Sequence, residues 1–596
     1  MKNRRRHRPV RLLTLALAAI TCALAASAQF TVGGVTPVYD SRSNTFLCAI
    51  DTARLRNLPA TLEIVNSGSD YRVVKIEGVS GTIGASATVT VPDIQYGKTM
   101  QLTLQNGISQ RTSSLAFTFL PILELTGDFG YEYAEGDVTL TEPGGANSGA
   151  MHAKLKWRGA STNTEGKQKR NYHIKFLNEK GKKQDRTFFG LREDNNWLLD
   201  ACQVDLTRVR NRASTDLWLD FATKPYYYDK EPKALTGVRG RFVEVFLNGE
   251  YRGIYCMTEQ IDRKQMKLKK YDEDAAAFHG MLWKAKTYTV CVDMWEDKPY
   301  NNSQEMWEGY EVKYPDFDDV NPTDYSVLHD AVSFVAKSSQ EQFYKGYRDV
   351  FDIPVLVDYY LFLDVLGAID NKFANVYWAC YDQASERKIT PAVWDLDVTM
   401  GIGWAGYMID PTLDIYAESE GYPSLLWHLN DCTQGEFREM QKKRYTELRQ
   451  TVFTEKNLAR YYTGYTHDLT RCGAAKRDSL RWSGGSDLEG ARINVWYDDE
   501  NLAGWLKTRL GTLDSRYGYG QGIEDNDIAA PEEALRVIVN AGIIRVVDDA
   551  IGSDGVINVY DTQGRALYSG RERTITIQHK GVLIVKSGSK VAKVLN

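Results

Sequence analysis

The chain has 596 residues and a formal net charge of −5 at neutral pH, with 43% apolar and 25% charged residues. So small a charge over this length excludes a general nucleic-acid binder, which would carry a basic face. The apolar and charged shares are those of a globular protein, and the length predicts several domains.

The N-terminus predicts export. Lys2, Arg4, Arg5, Arg6, Arg8 and Arg11 precede an apolar run from Leu12 to Ala26, and Ala26-Ser27-Ala28 forms an A-x-A cleavage site. A basic start, a short apolar run and small residues at the cut make a secretory signal peptide, so residues 1–28 are expected to be removed. The run is shorter than the roughly 20 residues that span a bilayer. No later window is apolar enough, so no transmembrane segment is expected in the mature chain. Thr21 before Cys22 does not suit a lipid-attachment site. The remaining cysteines, Cys48, Cys202, Cys256, Cys291, Cys380, Cys432 and Cys472, show no C-x-x-C pair and no metal spacing. Their odd number leaves at least one thiol without a partner in the chain. Cys256 and Cys380 fall in strand-like runs and are expected to be buried small residues.

Residues 29–122 read as β, with alternating runs at 45–50, 60–65, 71–76 and 87–91 separated by Gly, Ser, Asn and Asp. This spacing predicts a small sandwich without a catalytic constellation, a spacer or adhesion module. Residues 123–525 are mixed α and β. His152 to Arg158 is a strand entering a small loop that holds Gly159, Ser161 and Thr162, and Asn171 to Phe176 is the next strand. Val243 to Met257 is a hairpin with an Asn248-Gly249 turn, running into Thr258-Glu259-Gln260.

The most informative stretch is 353–403. Ile353 to Leu366 reads as a helix, with Pro354 at its start, apolar residues at helical spacing and Gly367 to end it. A polar loop, Ala368-Ile-Asp370-Asn-Lys-Phe-Ala-Asn375, follows. The strands Val376–Tyr381 and Lys388–Val393 come next and end in Trp394-Asp395-Leu396-Asp397. Helix, D-x4-N loop, hairpin and acidic strand end is the order in which protein kinases place their catalytic loop and metal-binding Asp. Asp370 and Asn375 fit the loop, and either Asp395 or Asp397 fits the metal Asp. The chain has neither G-x-G-x-x-G nor V-A-I-K, which excludes an ordinary kinase. The bland alternative is that Asp370 and Asn375 only cap or turn the chain.

Several blocks occur in order: W-R-G-A-S-T at 157–162, K-R-N-Y-x-I-K-F at 169–176, R-N at 210–211, F-L-N-G-E-Y-R-G-I-Y-x-x-T-E-Q at 246–260, the loop at 370–375, and W-D-L-D-x-T-x-G at 394–401. Gly280 to Lys284 adds a weaker one. Together they resemble the CotH family of atypical protein kinases over about 150–404. The resemblance implies a two-lobed kinase-like core that binds ATP with Mg²⁺ or Mn²⁺ and phosphorylates protein Ser or Thr. Carried over, Asp370 is the catalytic-loop Asp, and Asn375 with Asp395 or Asp397 are metal ligands. Arg158, Lys169 and Lys175 are candidates for phosphate contact, and Glu259 is one for facing the nucleotide or a lysine. The blander reading of such lysines is a solvated strand face.

Residues 405–525 read as mostly helical, most clearly from Glu436 to Phe453, and hold Trp427, His428, Trp482 and Trp496 without a motif. Residues 533–596 return to β, with V-x-V-Y-D-x-x-G, K-G-V-x-I-V-K and S-x-K-V-x-K-V in succession. That order resembles the C-terminal sorting domain of Bacteroidetes type IX secretion cargo. The whole is therefore expected to be α+β, a kinase-like core of two lobes flanked by β-sandwich modules, located at the cell surface or outside the cell. Its expected partner is a protein substrate or surface partner. An export signal sits oddly with an ATP-dependent enzyme, because ATP is scarce outside the cell. A non-catalytic surface-binding or adhesion protein on the same scaffold is the main alternative. A glycan-active enzyme with paired acids near Trp394 and Trp404 is a third. Asp395 and Asp397, two apart on a strand-like segment, would face one side, which suits chelation better than flanking a glycosidic bond.

Overall fold

The computed structural model describes residues 30–595 except 53–59, 68–70, 92–94, 288–289, 404–406, 418–422, 483–498, 521–536, 541–542, 547–554, 562–563, 578, 580 and 589. Residues 1–28, read from sequence as a signal peptide, and Trp404 and Trp496 lie outside the described residues. The chain divides into two compact units, residues 1–519 and 520–596. It is α+β as a whole, with several sheets and a helical region.

The N-terminal strands form where alternation and turn residues place them: Thr45–Ala49, Ala60–Asn66, Arg72–Ile76 and Ser86–Val91. They belong to a three-stranded and a five-stranded sheet that share an apolar core including Phe46, Leu62, Ile64, Val73 and Leu104. This module is not a free spacer. Its opposite face, Val38, Leu47, Ala49 and Ala116, is buried with Ile122, Phe246 and Tyr251 of the next domain. The Asp40 carboxylate accepts the Tyr251 backbone N–H at 3.0 Å.

Seven strands then close into a barrel: Ile122–Thr126, Ala134–Thr141, Met151–Arg158, Asn171–Phe176, Asn196–Asp200, Gly240–Leu247 and Glu250–Thr258. Closure removes the exposed sheet edges. Alternation supplies its interior: along Met151–Arg158, Met151, Ala153 and Leu155 point in, while Lys154 and Lys156 stay half-exposed. The hairpin turn Asn248-Gly249 has positive φ at both residues, +50° and +76°, the geometry of a type I′ turn.

A five-stranded sheet follows, ordered Met306–Trp307, Tyr310–Tyr314, Met281–Ala285, Val376–Asp382, Glu386–Val393. The helix Ile353–Leu366 forms as the sequence predicts, with Pro354 in its first turn and Gly367 at φ +60° ending it. It is buried on nearly all sides rather than along one stripe. Its two acids are neutralised by the later helices: Asp358 by Arg444 at 2.7 Å, and Asp364 by Arg509 at 2.7 Å and Arg516 at 2.8 Å. The helices Glu436–Arg449, Glu455–Arg471 and Asp499–Tyr517 complete this region.

The helix Ala474–Trp482 clamps the barrel. Asp478, buried, accepts Arg208 Nε at 2.9 Å and the Ile254 backbone N–H at 2.9 Å, and lies 3.4 Å from Lys169 Nζ. Gly253, at φ +93°, is required here because a Cβ would run into the Asp478 carboxylate. Burial alone would raise the Asp478 carboxyl, but Arg208 and Lys169 hold it below its ordinary value. Asp478→Ala leaves two buried cations uncompensated, and a loss of about 3–5 kcal/mol is expected. Chemical unfolding of the purified variant measures it; a loss within ordinary surface-mutation range would contradict the assignment.

The second unit holds the strands Val537–Asn540, Ile543–Val546 and Thr574–Thr576 in one sheet, and Ala566–Gly570, Ile557–Asp561, Val582–Ser587 and Lys590–Leu595 in another. All pairings are antiparallel. The core of this unit includes Ile544, Val546, Ile557, Val559, Leu583 and Val585. Among the described residues no helix is long and apolar enough to cross a membrane. Cys256 and Cys380 are buried and free.

Candidate functional site

One cleft collects residues from three places. The barrel contributes Arg158, Asn171, Asp200, Cys256 and Thr258. The helix Arg210–Phe221 contributes Asn211, Arg212 and Thr215. The loops around the hairpin Val376–Asp382/Glu386–Val393 contribute Asp370, Trp394, Asp395 and Asp397. The loop after Met151–Arg158 borders it through Gly159, Ala160 and Thr162. That loop is pinned from the next strand: Asn171 Nδ2 donates to Thr162 Oγ1 at 3.0 Å, and its Oδ1 accepts the Ala201 N–H at 2.6 Å. Gly159, at φ +105°, cannot be replaced without its Cβ meeting Thr162 Oγ1.

Asp370 is 6% exposed, and Asn375 Nδ2 donates to its Oδ2 at 2.7 Å. Asn375 has φ +61° and Asp395 φ +58°, a left-handed conformation that Asn and Asp tolerate better than other side chains. The segments are tied together by Asn371, whose Nδ2 donates to the Trp394 carbonyl at 2.7 Å. The D-x4-N loop and the W-D-L-D strand end thus sit side by side.

Sequence reading missed the acidic loop's second support. Asn211 Nδ2 donates to Asp200 Oδ2 at 2.9 Å, and its Oδ1 accepts the Leu396 N–H at 3.0 Å. Arg210 Nε donates to the Thr399 carbonyl at 3.0 Å, and the Ser214 and Thr399 hydroxyls are 3.1 Å apart. One helix turn therefore fixes the spacing between Asp200 on the barrel and Asp395 and Asp397 opposite. The only sequence signal was the R-N block at 210–211.

Burial and mutual repulsion raise the acids of the cleft. Burial raises the Asp395 carboxyl, and Asp200 adds to the rise while Lys284 and Arg158 oppose it. Asp397 is pushed well above its ordinary value by burial first, then by Asp395, Asp200, Asp370 and Asp205. Lys284, another residue the sequence reading passed over, has its ammonium pulled down to about 8 by burial, against the pull of Asp395. Its Nζ and the Arg158 guanidinium lie 5.8 and 5.5 Å from the Trp394 ring centre.

Three predicted ligands are not in the cleft. Lys169 is 1% exposed; its Nζ donates to the Ala201 and Ile254 carbonyls at 2.5 Å each and pairs with Asp478. Lys175 lies over the Tyr133 ring at 4.6 Å, beside Lys156. Glu259 is fully buried as an acceptor for the backbone N–H groups of Arg192 and Arg239, the Arg239 guanidinium and Gln265. All three serve the barrel's own construction. Of the candidate cations, Arg158 alone lines the cleft.

The donor set is one of hard oxygens, which suits Mg²⁺ or Mn²⁺. Among the described residues no group of three or more His, Cys, Asp or Glu is placed to hold a metal ion.

A family model described as CotH kinase protein matches residues 155–513. The chain belongs to the CotH kinase family. The matched span runs from the barrel strand Met151–Arg158 into the last helix of the first unit and includes every residue of the cleft named above. Comparison with curated proteins gives no significant match.

Proposed function

We propose that this CotH-family chain is an exported kinase that uses ATP and Mg²⁺ or Mn²⁺ to transfer phosphate to Ser or Thr of protein substrates. In this reading the barrel is the first kinase-like lobe and the helical region the second. The observation that carries it is the convergence of Asp370, Asp395 and Asp397 with Gly159, Ala160 and Thr162 on one cleft, with Asn375 hydrogen-bonded to Asp370 behind it. Asp370 accepts the proton of the attacking hydroxyl and is oriented by Asn375. Asp395 and Asp397, with Asn375, hold the metal, which when bound neutralises phosphate charge. Arg158 and Lys284, both beside Trp394 and Asp395, supply positive charge where phosphoryl transfer needs it. Export rests on the basic, apolar and A-x-A pattern of residues 1–28. A Bacteroidetes-type sorting role for residues 533–596 rests on their motif order.

One observation favours the second reading, a surface-binding protein that has kept the fold without the chemistry. The cleft encloses about 110 Å³, below the roughly 300 Å³ at which small-molecule pockets begin. A kinase must therefore open it to admit a nucleotide. Thermal unfolding with ATP and Mn²⁺ separates the readings: a saturable rise that needs both is expected for a kinase, and no rise with either metal favours the binding protein.

Lys284 gives this binding a pH signature. Its ammonium, with Asp395, Arg158, Lys313 and Glu311 around it, titrates at about 8. Nucleotide affinity should weaken as pH rises past that value, by up to about tenfold per pH unit. Lys284→Arg keeps its charge and should flatten the profile; identical profiles would remove Lys284 from the site.

A further inference from the structure

Asn211 joins the barrel to the acidic strand end. It sits in the first turn of the helix Arg210–Phe221, whose Trp218 and Phe221 rings pack on Phe362 at 5.2 and 6.0 Å. The helix is thus seated on the buried helix Ile353–Leu366. Its start is anchored by Asp205, which accepts the Val209 and Arg210 N–H groups and pairs with the Arg210 guanidinium at 2.5 Å. Asp200 belongs to the other side: it ends the barrel strand Asn196–Asp200, next to Leu199 of the barrel core.

The Asn211 amide is used at both ends, and its direction is forced. The Leu396 N–H can only donate, so Asn211 Oδ1 faces it, at 3.0 Å. That leaves Nδ2 for Asp200 Oδ2, at 2.9 Å. Asp200 Oδ1 accepts the Cys202 N–H at 2.9 Å, so each of its oxygens meets a donor. Leu396 is fully buried between Asp395 and Asp397. Its N–H belongs to the peptide that follows Asp395, and its carbonyl to the peptide that precedes Asp397. The carbonyl is held as well: the Thr399 hydroxyl donates to it at 3.0 Å and lies 3.1 Å from the Ser214 hydroxyl. Asn211 and Ser214 are three apart on one helix face. That face therefore grips both peptides between the two acids.

The geometry points to Asn211 as a positioning residue for Asp395 and Asp397, with Asp200 as its anchor rather than as a third acid on the metal. This rests on the reading of the cleft as a metal–nucleotide site. Two observations separate Asp200 from the metal. Its oxygens are oriented by Cys202 and Asn211, and among the described residues no three acids are placed to hold a metal ion. Loss of a group that orients a ligand costs about 10- to 100-fold in metal affinity or activity.

Exchanging the two side chains tests this. Asn211→Asp sets two acceptors face to face. Asp200→Asn, with its oxygen on the Cys202 N–H, sets two amide nitrogens face to face. The double variant Asp200→Asn/Asn211→Asp restores every bond in reverse: the new amide donates to the new carboxylate, whose second oxygen accepts the Leu396 N–H. The formal charge of the chain is unchanged. Mn²⁺ is titrated into the full chain with a non-hydrolysable ATP analogue present, and water-proton relaxation reports the bound metal. Each single variant should bind Mn²⁺ about tenfold or more weakly, and the double should return to within about threefold of the parent. Melting temperatures without metal report folding; where a single variant does not fold, the double decides. A folded double variant that still binds weakly, single variants that bind like the parent, or a double variant that does not fold would each overturn the assignment while leaving the cleft a metal–nucleotide site. A parent chain that takes up no Mn²⁺ with the analogue would overturn that reading, and this inference with it.

Discussion

Asp397→Asn is expected to abolish metal-dependent nucleotide binding and at the same time raise the melting temperature of the metal-free protein. The first effect follows from losing a charged oxygen where the metal is held. The second follows from the carboxylates themselves. Burial and the charges of Asp395, Asp200, Asp370 and Asp205 raise the Asp397 carboxyl well above its ordinary value. A carboxyl whose pKa is higher folded than unfolded gives its full stability below the unfolded value, about 3.9 for Asp. That stability is lost as pH rises toward and through the folded value. At neutral pH the metal-free native state therefore carries a cost that Asn does not, and relief of about 1 kcal/mol would appear as a rise of about 1–2 °C. The difference between the two proteins should widen from pH 5 to pH 8. Calorimetric scans across that range measure it; a variant less stable than its parent throughout would contradict the repulsion.

Asp370→Asn is expected to separate chemistry from binding. The Asn side chain can still accept the hydrogen bond from Asn375 Nδ2 that Asp370 Oδ2 accepts at 2.7 Å, so the loop keeps its shape. It cannot take a proton from a substrate hydroxyl. Removal of a positioned general base lowers turnover by about 10²- to 10⁴-fold, while nucleotide affinity stays close to that of the parent. Single-turnover transfer together with a binding titration reads both. Equal losses in affinity and rate would make Asp370 a binding residue instead.

What the sequence made legible was what is local. Asp370, Asn375, Asp395 and Asp397 lie within one helix–loop–hairpin whose boundaries are announced by Pro354, Gly367 and the alternation of the two strands. Their proximity needs only the hairpin to close. The hairpin at Asn248-Gly249 was legible for the same reason. Lys169, Lys175 and Glu259 were misjudged because a sequence block says that a residue sits near a strand, not which side of the closed barrel it faces. Lys169 turned to Asp478, more than three hundred residues later, and Glu259 turned to Arg192 and Arg239. Asp200 and Asn211, which line the cleft, and Lys284, which lies beside Trp394, were missed because each arrives alone, from an element whose partner is distant in the chain. The packing of the N-terminal module against the barrel was also hidden, since its second apolar face, at Val38, Leu47 and Ala116, reads in sequence as ordinary strand alternation.

The central claim is that the cleft transfers phosphate. It is tested most directly by incubating the purified chain with γ-labelled ATP, in Mg²⁺ and in Mn²⁺, and following label into the chain itself and into generic protein acceptors. Incorporation on Ser or Thr that requires divalent metal and disappears in Asp370→Asn and in Asp397→Asn is the predicted result. Incorporation that persists in both variants, or no metal-dependent incorporation by the parent chain, would contradict it.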